Sequence, residues 1–279
     1  MGRVAFLGTG LLGSGMVEAM LRRGVQVNVW NRTVSKARAL EAFGARVAST
    51  PEEAVADADR VHLALPDDAV VDAMLDRIGP RLRSGAVVID HSTTAPAGTK
   101  ARLARASAAG IAWVHAPVFM SPQMCRDCVG LMMVSGPQAL FDGVRPHLEK
   151  MTGEVWYLGE REELAASFKI MGNSMIFAIT AGLSDVLAMA RSLGIAPLDA
   201  GGLFSKFKVG SVVPARMDKM ARGDFSATFE LTMARKDIRL MIEAAASEPL
   251  TILPSIAQRM DQAIAKGHGQ EDLGAIAAR

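Results

Sequence analysis

The sequence predicts an α/β fold, a doubly wound parallel sheet, followed by an all-α domain. Three observations predict it: short apolar runs alternate with helical patterns, a glycine-rich turn follows the first run, and strand patterns end near Gly159–Glu163. The chain has 279 residues, enough for two domains of ordinary size. We expect a nucleotide-binding domain over residues 1–161 and a helical domain over residues 162–279.

Seven apolar runs predict strands of the first domain. They are rich in Val, Ile and Leu and do not alternate with polar residues, which is typical of strands covered on both faces. Helical patterns lie between them, and strand–helix–strand alternation predicts a parallel sheet. The strands are Arg3–Leu7, Val25–Trp30, Arg60–Leu65, Ala86–Asp90, Ala112–Ala116, Leu131–Ser135 and Glu154–Tyr157, and the helices are Leu12–Arg23, Ser35–Phe43, Ala69–Arg77, Ala97–Ala109 and Gln138–Lys150.

Only helical patterns follow in the second half of the chain. The segment Ser167–Ser192 is apolar around most of its circumference, which predicts a central, buried helix. Prolines mark starts and breaks of the predicted helices. These helices are Glu163–Leu193, Leu198–Phe207, Pro214–Ala221, Thr228–Ser247 and Thr251–Lys266.

Composition excludes several classes of protein. The 31 basic and 29 acidic residues leave a net charge of +2, which argues against a nucleic-acid surface. Met1–Gly15 predicts a strand and a turn rather than a signal peptide, and the longest apolar run, Met175–Ala190, carries Asp185. The two cysteines cannot form a disulfide framework, so we expect a cytoplasmic protein without a nucleic-acid or membrane partner. The motifs below indicate a small-molecule substrate.

The strongest motif is Gly8-Thr9-Gly10-Leu11-Leu12-Gly13, between the first strand and the first helix. It is the G-x-G-x-x-G pattern of Rossmann folds in its proper context. Gly8 permits the tight turn, Gly10 allows the backbone to approach a pyrophosphate, and Gly13 allows close helix–strand packing. The N-terminus of the helix that follows offers free N–H groups and the positive end of the helix dipole, both of which favour phosphate binding. The alternative is a glycine-rich turn that binds nothing.

The end of the second strand predicts which dinucleotide binds. An NAD site normally has Asp or Glu here, on the ribose 2′-hydroxyl. The chain has Asn31-Arg32-Thr33 instead. Arg32 would pair with a 2′-phosphate and Thr33 would donate a further hydrogen bond, so we predict NADP(H). The alternative is that Arg32 is a solvated loop residue.

Two further strand ends lie at the predicted cofactor edge. Leu65-Pro66 ends the third strand, and Ser92 and Thr93 follow Asp90. Ligands of such sheets bind outside the carboxyl ends of the strands, so these residues are candidates for the nicotinamide or the substrate. The alternative is that Thr94 or a neighbour caps the helix that opens at Pro96.

Lys169 and Asn173 lie four residues apart, on one face of the long apolar helix. Burial favours the neutral amine and lowers the pKa of a lysine, which suits a group that exchanges protons near neutrality. The alternative is a lysine at a helix end whose ammonium extends to solvent.

Together these motifs resemble the β-hydroxyacid dehydrogenase family, which includes 3-hydroxyisobutyrate dehydrogenases and glyoxylate/succinic semialdehyde reductases. The resemblance covers essentially the whole chain and rests on the glycine turn, Trp30–Thr33, Asp90–Thr93, Ala116-Pro117-Val118, Lys169 with Asn173, and Phe229 with Lys236-Asp237.

The resemblance implies a role for each matching residue. Lys169 is the proton donor or acceptor, Asn173 helps hold the substrate, and Asp237 orients the site. Thr93 lies by the nicotinamide, Lys236 lies near the cofactor and Phe229 borders the substrate. The resemblance also implies a homodimer or homotetramer built by the helical domains.

One segment departs from the family. After Pro117-Val118 the family usually has small residues that grip a substrate carboxylate, whereas this chain has Phe119-Met120-Ser121-Pro122. Phe119 and Met120 have no side-chain donors for a carboxylate and narrow the site. The substrate is then less polar, or its anion is held by Ser121, Gln123 or Arg126; alternatively Phe119 and Met120 only pack.

This segment also resembles imine reductases, which generally lack the catalytic lysine. Three functions therefore stay open: an NADPH-dependent carbonyl reductase, an imine reductase, and a non-catalytic NADP-binding protein. Cys125-Arg126-Asp127-Cys128 is a lone C-x-x-C without the further ligands that a zinc site needs, so we expect two free thiols and no metal.

Overall fold

A computed structural model describes residues 2–278 of the chain. The chain divides into two compact units, Met1–Asn173 and Ser174–Arg279. The division falls within a long helix, α8 (Leu164–Ser192), just before which the sequence predicted a boundary at residues 161 and 162.

The first unit contains the predicted doubly wound parallel sheet. It has six strands in the order β3-β2-β1-β4-β5-β6, all of them parallel. The strands are β1 (Val4–Leu7), β2 (Val27–Trp30), β3 (Arg46–Val47), β4 (Arg60–Leu63), β5 (Val87–Asp90) and β6 (Ala112–His115). Both faces of β1 are buried: Val4 and Phe6 pack in one apolar cluster, Ala5 and Leu7 in another. This explains why the apolar runs are continuous.

The strand register brings the carboxyl ends of the strands together. The last residue of β1, Leu7, pairs with Trp30 of β2 and Leu63 of β4, and Leu63 pairs with Asp90 of β5. The segments that follow these strands therefore share one edge of the sheet, where such folds bind ligands.

Seven helices accompany the strands of the first unit. Three of these helices have an N-terminal side-chain cap: Thr50 accepts from the N–H of Glu53, Asp67 from that of Val70, and Ser121 from that of Met124. The helices are α1 (Leu11–Arg22), α2 (Val34–Arg38), α3 (Pro51–Val55), α4 (Asp68–Ile78), α5 (Pro96–Ala108), α6 (Pro122–Asp127) and α7 (Gln138–Leu148).

Two of the predicted strands belong to a second, smaller sheet. Its order is β7 (Val118–Phe119), β8 (Leu131–Val134) and β9 (Glu154–Tyr157); β7 is antiparallel to β8, and β8 is parallel to β9. The sequence predicted β8 and β9 as strands but gave no sign of a separate sheet. An apolar run indicates burial, and it does not indicate which strand is the neighbour.

The described residues of the second unit form helices and connecting loops, with no strand apart from an isolated bridge between Glu230 and Asp272. Leu231, Ala234 and Ile238 form one buried face of α11 and pack with Leu253 and Met260 of α12. Besides the end of α8, this unit contains α9 (Pro197–Lys206), α10 (Val213–Ala221), α11 (Leu231–Ala245) and α12 (Leu253–Ala263).

The prediction that Ser167–Ser192 is buried is wrong for the single chain. Phe177 is 68% exposed, and Ile176, Ile179 and Leu183 are exposed as well. Helix α8 is also long and apolar enough to cross a membrane, judged by length and composition alone. Its apolarity indicates that something covers it, and the single chain does not supply that cover.

Candidate active site

The glycine turn has the geometry that the sequence predicts. Gly8 has φ +98°, and a Cβ there would lie 2.2 Å from the carbonyl oxygen of Ala64. A Cβ on Gly13 would lie 2.0 Å from the carbonyl oxygen of Gly8. A Cβ on Gly10 would meet nothing within 4 Å, so the backbone there faces open space. The turn is tight on its inner side and open where a pyrophosphate would lie.

A cleft of about 710 Å³ opens at this edge of the sheet, within the usual range for ligand sites. It brings together most of the predicted cofactor residues: Gly8, Gly10, Leu11, Leu12, Gly13, Asn31, Arg32, Thr33, Leu65, Pro66, Ser92 and Thr93. Thr9 does not line it; its side chain is buried, and its hydroxyl has no hydrogen-bond partner among the described residues.

Asn31 connects two parts of this cleft, the end of β2 and the glycine turn. Its side-chain oxygen accepts a hydrogen bond from the N–H of Thr9 at 3.0 Å, and its amide donates to the carbonyl of Thr33. Asn31 therefore fixes the end of β2 against the glycine turn. An aspartate at this position could not donate the second bond.

The cleft has two free cations beside Asn31. Arg32 and Lys36 both line it and are exposed. Neither side chain forms a hydrogen bond or ion pair within residues 2–278. Lys36 was not among the predicted cofactor residues, although its position three residues after Thr33, in the first turn of α2, was visible in the sequence. An open glycine turn beside two free cations fits a dinucleotide phosphate.

The loops after β4 and β5 are joined by side chains. The hydroxyl of Ser92 accepts from the N–H of Leu65 at 2.9 Å, and the Asp90 carboxylate accepts from the N–H of Ser92. Thr94 does not cap α5; its hydroxyl bonds that of Thr99 instead. Asp68 accepts from the N–H of Ala95, so an acid of α4 holds the loop that carries Thr93.

Lys169 lies near the start of α8 and is half buried. Its ammonium donates to the carbonyl of Val118 at 2.8 Å and lies 4.1 Å from the centre of the Phe119 ring. Burial lowers the pKa of Lys169 below its ordinary value. The alternative of a lysine that extends freely to solvent therefore does not describe this side chain. Asn173 is also half buried and has no partner within the described residues.

In the segment after Val118, two apolar residues pack against glycines and the next residue caps a helix. Phe119 packs on the backbone of Gly172, and Met120 lies against Gly130. Ser121, a predicted substrate residue, uses its hydroxyl to cap α6 by accepting from the N–H of Met124. The two other candidates for an anion are also engaged: Gln123 donates to Asp127, and Arg126 pairs with Glu18.

Three predicted site residues lie in the second unit. Phe229 is exposed and precedes α11, where its N–H donates to the buried carboxylate of Asp272. Lys236 and Asp237 lie on α11, and their side chains form an ion pair at 2.9 Å. Asp272, which the sequence analysis did not single out, also accepts from the N–H and the hydroxyl of Thr228. These bonds order the segment that presents Phe229.

Cys125 lies on α6, and Cys128 lies at its C-terminal end. Both thiols are free, and burial raises the pKa of Cys125 to about 11, which makes this thiol unreactive near neutrality. Within residues 2–278 there is no group of three His, Cys, Asp or Glu side chains that could hold a metal ion.

Comparison with known proteins matches both units to dinucleotide-dependent dehydrogenases. Residues 3–159 match the NAD binding domain of 6-phosphogluconate dehydrogenase, and residues 165–279 match the NAD-binding domain of NADP-dependent 3-hydroxyisobutyrate dehydrogenase. The chain is 25% identical to 2-(hydroxymethyl)glutarate dehydrogenase of Eubacterium barkeri, over 98% of this chain and 93% of that protein.

Two further proteins extend the range of similar activities. The chain is 26% identical to the chloroplastic glyoxylate/succinic semialdehyde reductase 2 of Arabidopsis thaliana, over 98% of this chain and 78% of that protein. An imine reductase of Streptomyces aurantiacus has the same fold, with a TM-score of 0.89 and 25% identity, over 98% of both chains.

Proposed function

The chain belongs to the β-hydroxyacid dehydrogenase family of NAD(P)-dependent oxidoreductases, and we propose that it is an NADPH-dependent reductase of a small aldehyde or ketone. The reverse reaction oxidises the corresponding alcohol. The observation that carries the proposal is Lys169, a half-buried ammonium held at 2.8 Å from the Val118 carbonyl. That bond and the Phe119 ring, 4.1 Å from the nitrogen, fix the position of the ammonium, as a proton donor requires.

The chemistry follows from the charge that develops during reduction. A bound reduced nicotinamide supplies the hydride to the carbonyl carbon. Negative charge then grows on the substrate oxygen, where the Lys169 ammonium stabilises it and donates a proton. Burial lowers the pKa of Lys169, which makes its ammonium a stronger acid near neutrality. The neutral amide of Asn173, on the same helix face, suits a hydrogen bond to the same oxygen.

The preference for NADPH rests on Arg32 and Lys36. Both line the cleft and have no partner within the described residues, while the usual acid of an NAD site is replaced by Asn31. A 2′-phosphate beside this pair gains two cations and meets no carboxylate from residue 31. NADH would leave both cations without a counter-charge.

Reduction of a C=N bond is the second candidate. Phe119 and the next residue, Met120, form an apolar wall whose Phe119 ring lies beside Lys169. The similar Streptomyces aurantiacus protein is an imine reductase. Such a wall suits an uncharged C=N compound as well as an uncharged carbonyl. Because the hydride step is the same in both, only substrate turnover separates the two candidates.

The experiment is NADPH consumption by the purified protein, measured in parallel with succinic semialdehyde, butanal and a cyclic imine of similar size. Turnover of either aldehyde supports the carbonyl reductase. Turnover of the imine alone supports the second candidate and requires another role for Lys169. NADPH binding without turnover of any of the three would contradict both.

We further propose that two or four chains associate through the exposed apolar face of α8. Several large apolar side chains exposed along one helix of a single chain indicate an interface.

A further inference from the structure

The ring of Phe119 sits directly on the backbone of α8. A Cβ built on Gly172 would lie 2.2 Å from Phe119 Cζ and 2.9 Å from its Cε2. No side chain at position 172 leaves room for the ring where it is. Gly172 lies three residues after Lys169, so the ring and the ammonium share one face of the helix.

Phe119 also forms part of the environment of the Lys169 ammonium. The nitrogen lies 4.1 Å from the ring centre and 2.8 Å from the carbonyl oxygen of Val118. The negative face of an aromatic ring and a carbonyl oxygen both favour the charged amine, whereas burial favours the neutral one. The ring therefore both positions Lys169 and opposes the effect of burial on its charge.

The same wall offers nothing to a carboxylate. Phe119 and Met120 have no side-chain donors, and the hydroxyl of Ser121 is used as the cap of α6. Gln123 donates to Asp127, and Arg126 is paired with Glu18. A carboxylate placed against the ring would lose its water and gain no hydrogen bond from these residues.

We propose that Phe119, seated on Gly172, is a positioning and specificity residue that holds the Lys169 ammonium and makes the site select uncharged carbonyl or C=N substrates over carboxylates. This inference deepens the proposed function and rests on it. The ring has two effects that can be separated, because its apolar bulk excludes the carboxylate and its π-face acts on the lysine.

The first experiment compares two aldehydes of four carbons, butanal and succinic semialdehyde, which differ in one carboxylate. The wild-type protein should have the larger kcat/KM for butanal. In Phe119→Ser the ratio of kcat/KM for butanal to that for succinic semialdehyde should fall about tenfold or more. The serine hydroxyl supplies a hydrogen-bond donor to the carboxylate, and water enters the site. Phe119→Leu is the matched control: it keeps apolar bulk without a π-face, so the ratio should stay within about threefold.

The second experiment measures Lys169 itself and needs no substrate. The rate of acetylation of Lys169 by acetic anhydride is followed against pH by mass spectrometry of its peptide. Phe119→Leu removes the π-face, so the midpoint should move down by about half a pH unit. Gly172→Ala should displace the ring and give the same shift. Alanine is also a better helix former than glycine, so this variant should fold.

Gly182→Ala on the same helix is the control for Gly172→Ala, since its Cβ would meet only Ile252 at an ordinary 3.6 Å. It should leave the midpoint unchanged.

If the wild type prefers succinic semialdehyde, or Phe119→Ser keeps the butanal preference, the selectivity proposal is overturned while the reductase stands. If the pH midpoint of Lys169 acetylation is unchanged in Phe119→Leu and Gly172→Ala, the proposal that Phe119 positions Lys169 is overturned. If no aldehyde or imine is turned over, the proposed function fails, and the selectivity with it.

Discussion

Nδ1 of His62 lies 2.9 Å from Nε2 of His91, and both rings are buried. The other nitrogen of His91, Nδ1, lies 2.7 Å from the carbonyl oxygen of Ala116, which can only accept. Nδ1 of His91 therefore carries the proton, Nε2 accepts, and His62 donates to it. Two residues after Ala116, the Val118 carbonyl binds Lys169. A pair of neutral histidines thus holds the segment that positions the candidate catalytic lysine.

This arrangement predicts that the protein loses stability as the pH falls below about 6.5. Burial lowers the pKa of His91 to about 4 and that of His62 well below its ordinary value. Between pH 6.5 and about 4 the unfolded chain binds a proton at His91 that the folded chain does not, so unfolding is favoured by up to about 1.4 kcal/mol per pH unit. The lowered pKa of His62 adds to this slope in the same direction. Urea unfolding between pH 4.5 and 8 measures this slope.

The double variant His62→Phe/His91→Leu should flatten the slope over that range, whatever its absolute stability. His268→Asn is the control, because His268 lies outside the pair and contacts Glu271. Arg60, Asp90, His115 and His147 surround the pair and are kept in both variants. The buried carboxyls of Asp90, Asp185 and Asp272, whose pKa values are lowered, act only below about pH 4. An unchanged slope in the double variant would show that His62 and His91 do not cause the pH dependence of stability.

Arg32→Ala should raise the KM for NADPH about ten- to a hundredfold and change the KM for NADH little. Arg32 is one of two cations that line the cleft without a partner in the described residues, and the loss of a charge-assisted hydrogen bond to phosphate has an effect of this size. Steady-state kinetics with both cofactors measure it. Arg38→Ala, exposed at the end of the same helix and outside the cleft, is the control. Equal effects of Arg32→Ala on both cofactors would remove Arg32 from 2′-phosphate recognition.

Lys169→Ala should lower kcat by about a hundred- to ten-thousandfold, because a positioned proton donor contributes on this scale. NADPH affinity should stay nearly unchanged, since Lys169 contacts Val118 and Phe119 and does not line the dinucleotide cleft. Single-turnover kinetics and a fluorescence titration with NADPH measure the two quantities, with exposed Lys150→Ala as the control. Retained turnover would exclude Lys169 from the mechanism.

The sequence predicted the parallel sheet and its glycine turn because local patterns determine both. Gly8 and Gly13 are required by contacts within a few residues or with the adjoining strand, and a short buried strand shows its own apolarity. The elements that were missed are short. Helix α6 had a visible signal, Ser121 as N-cap and Pro122 in the first turn, but Ser121 was predicted to contact the substrate instead.

Other features depend on long-range contacts that one sequence does not show. His62 and His91 meet because β4 and β5 are adjacent, and Phe119 meets Gly172 because β7 packs against α8. Lys36 joins Arg32 only once α2 has formed beside the cleft. The exposure of α8 has another cause: apolarity indicates that a helix is covered, and it does not indicate whether the same chain covers it.

The exposed apolar face of α8 predicts that the protein sediments as a dimer or tetramer in the absence of detergent. Phe177, Ile179 and Leu183 are exposed on the single chain. A membrane would cover this face too, but the carboxylate of Asp185, in the same helix, is buried and accepts hydrogen bonds from the N–H groups at the start of α12. An acid with these partners fits a helix packed against protein, and charged residues are costly in lipid.

Phe177→Glu should shift the sedimenting species toward the monomer, because it places a charge in the proposed interface. Gln262→Glu, an exposed position on α12, adds the same charge elsewhere and should leave the association state unchanged. Analytical ultracentrifugation over a hundredfold range of concentration measures both variants. A wild-type monomer throughout this range would contradict the interface, and a wild-type protein soluble only in detergent would support the membrane instead.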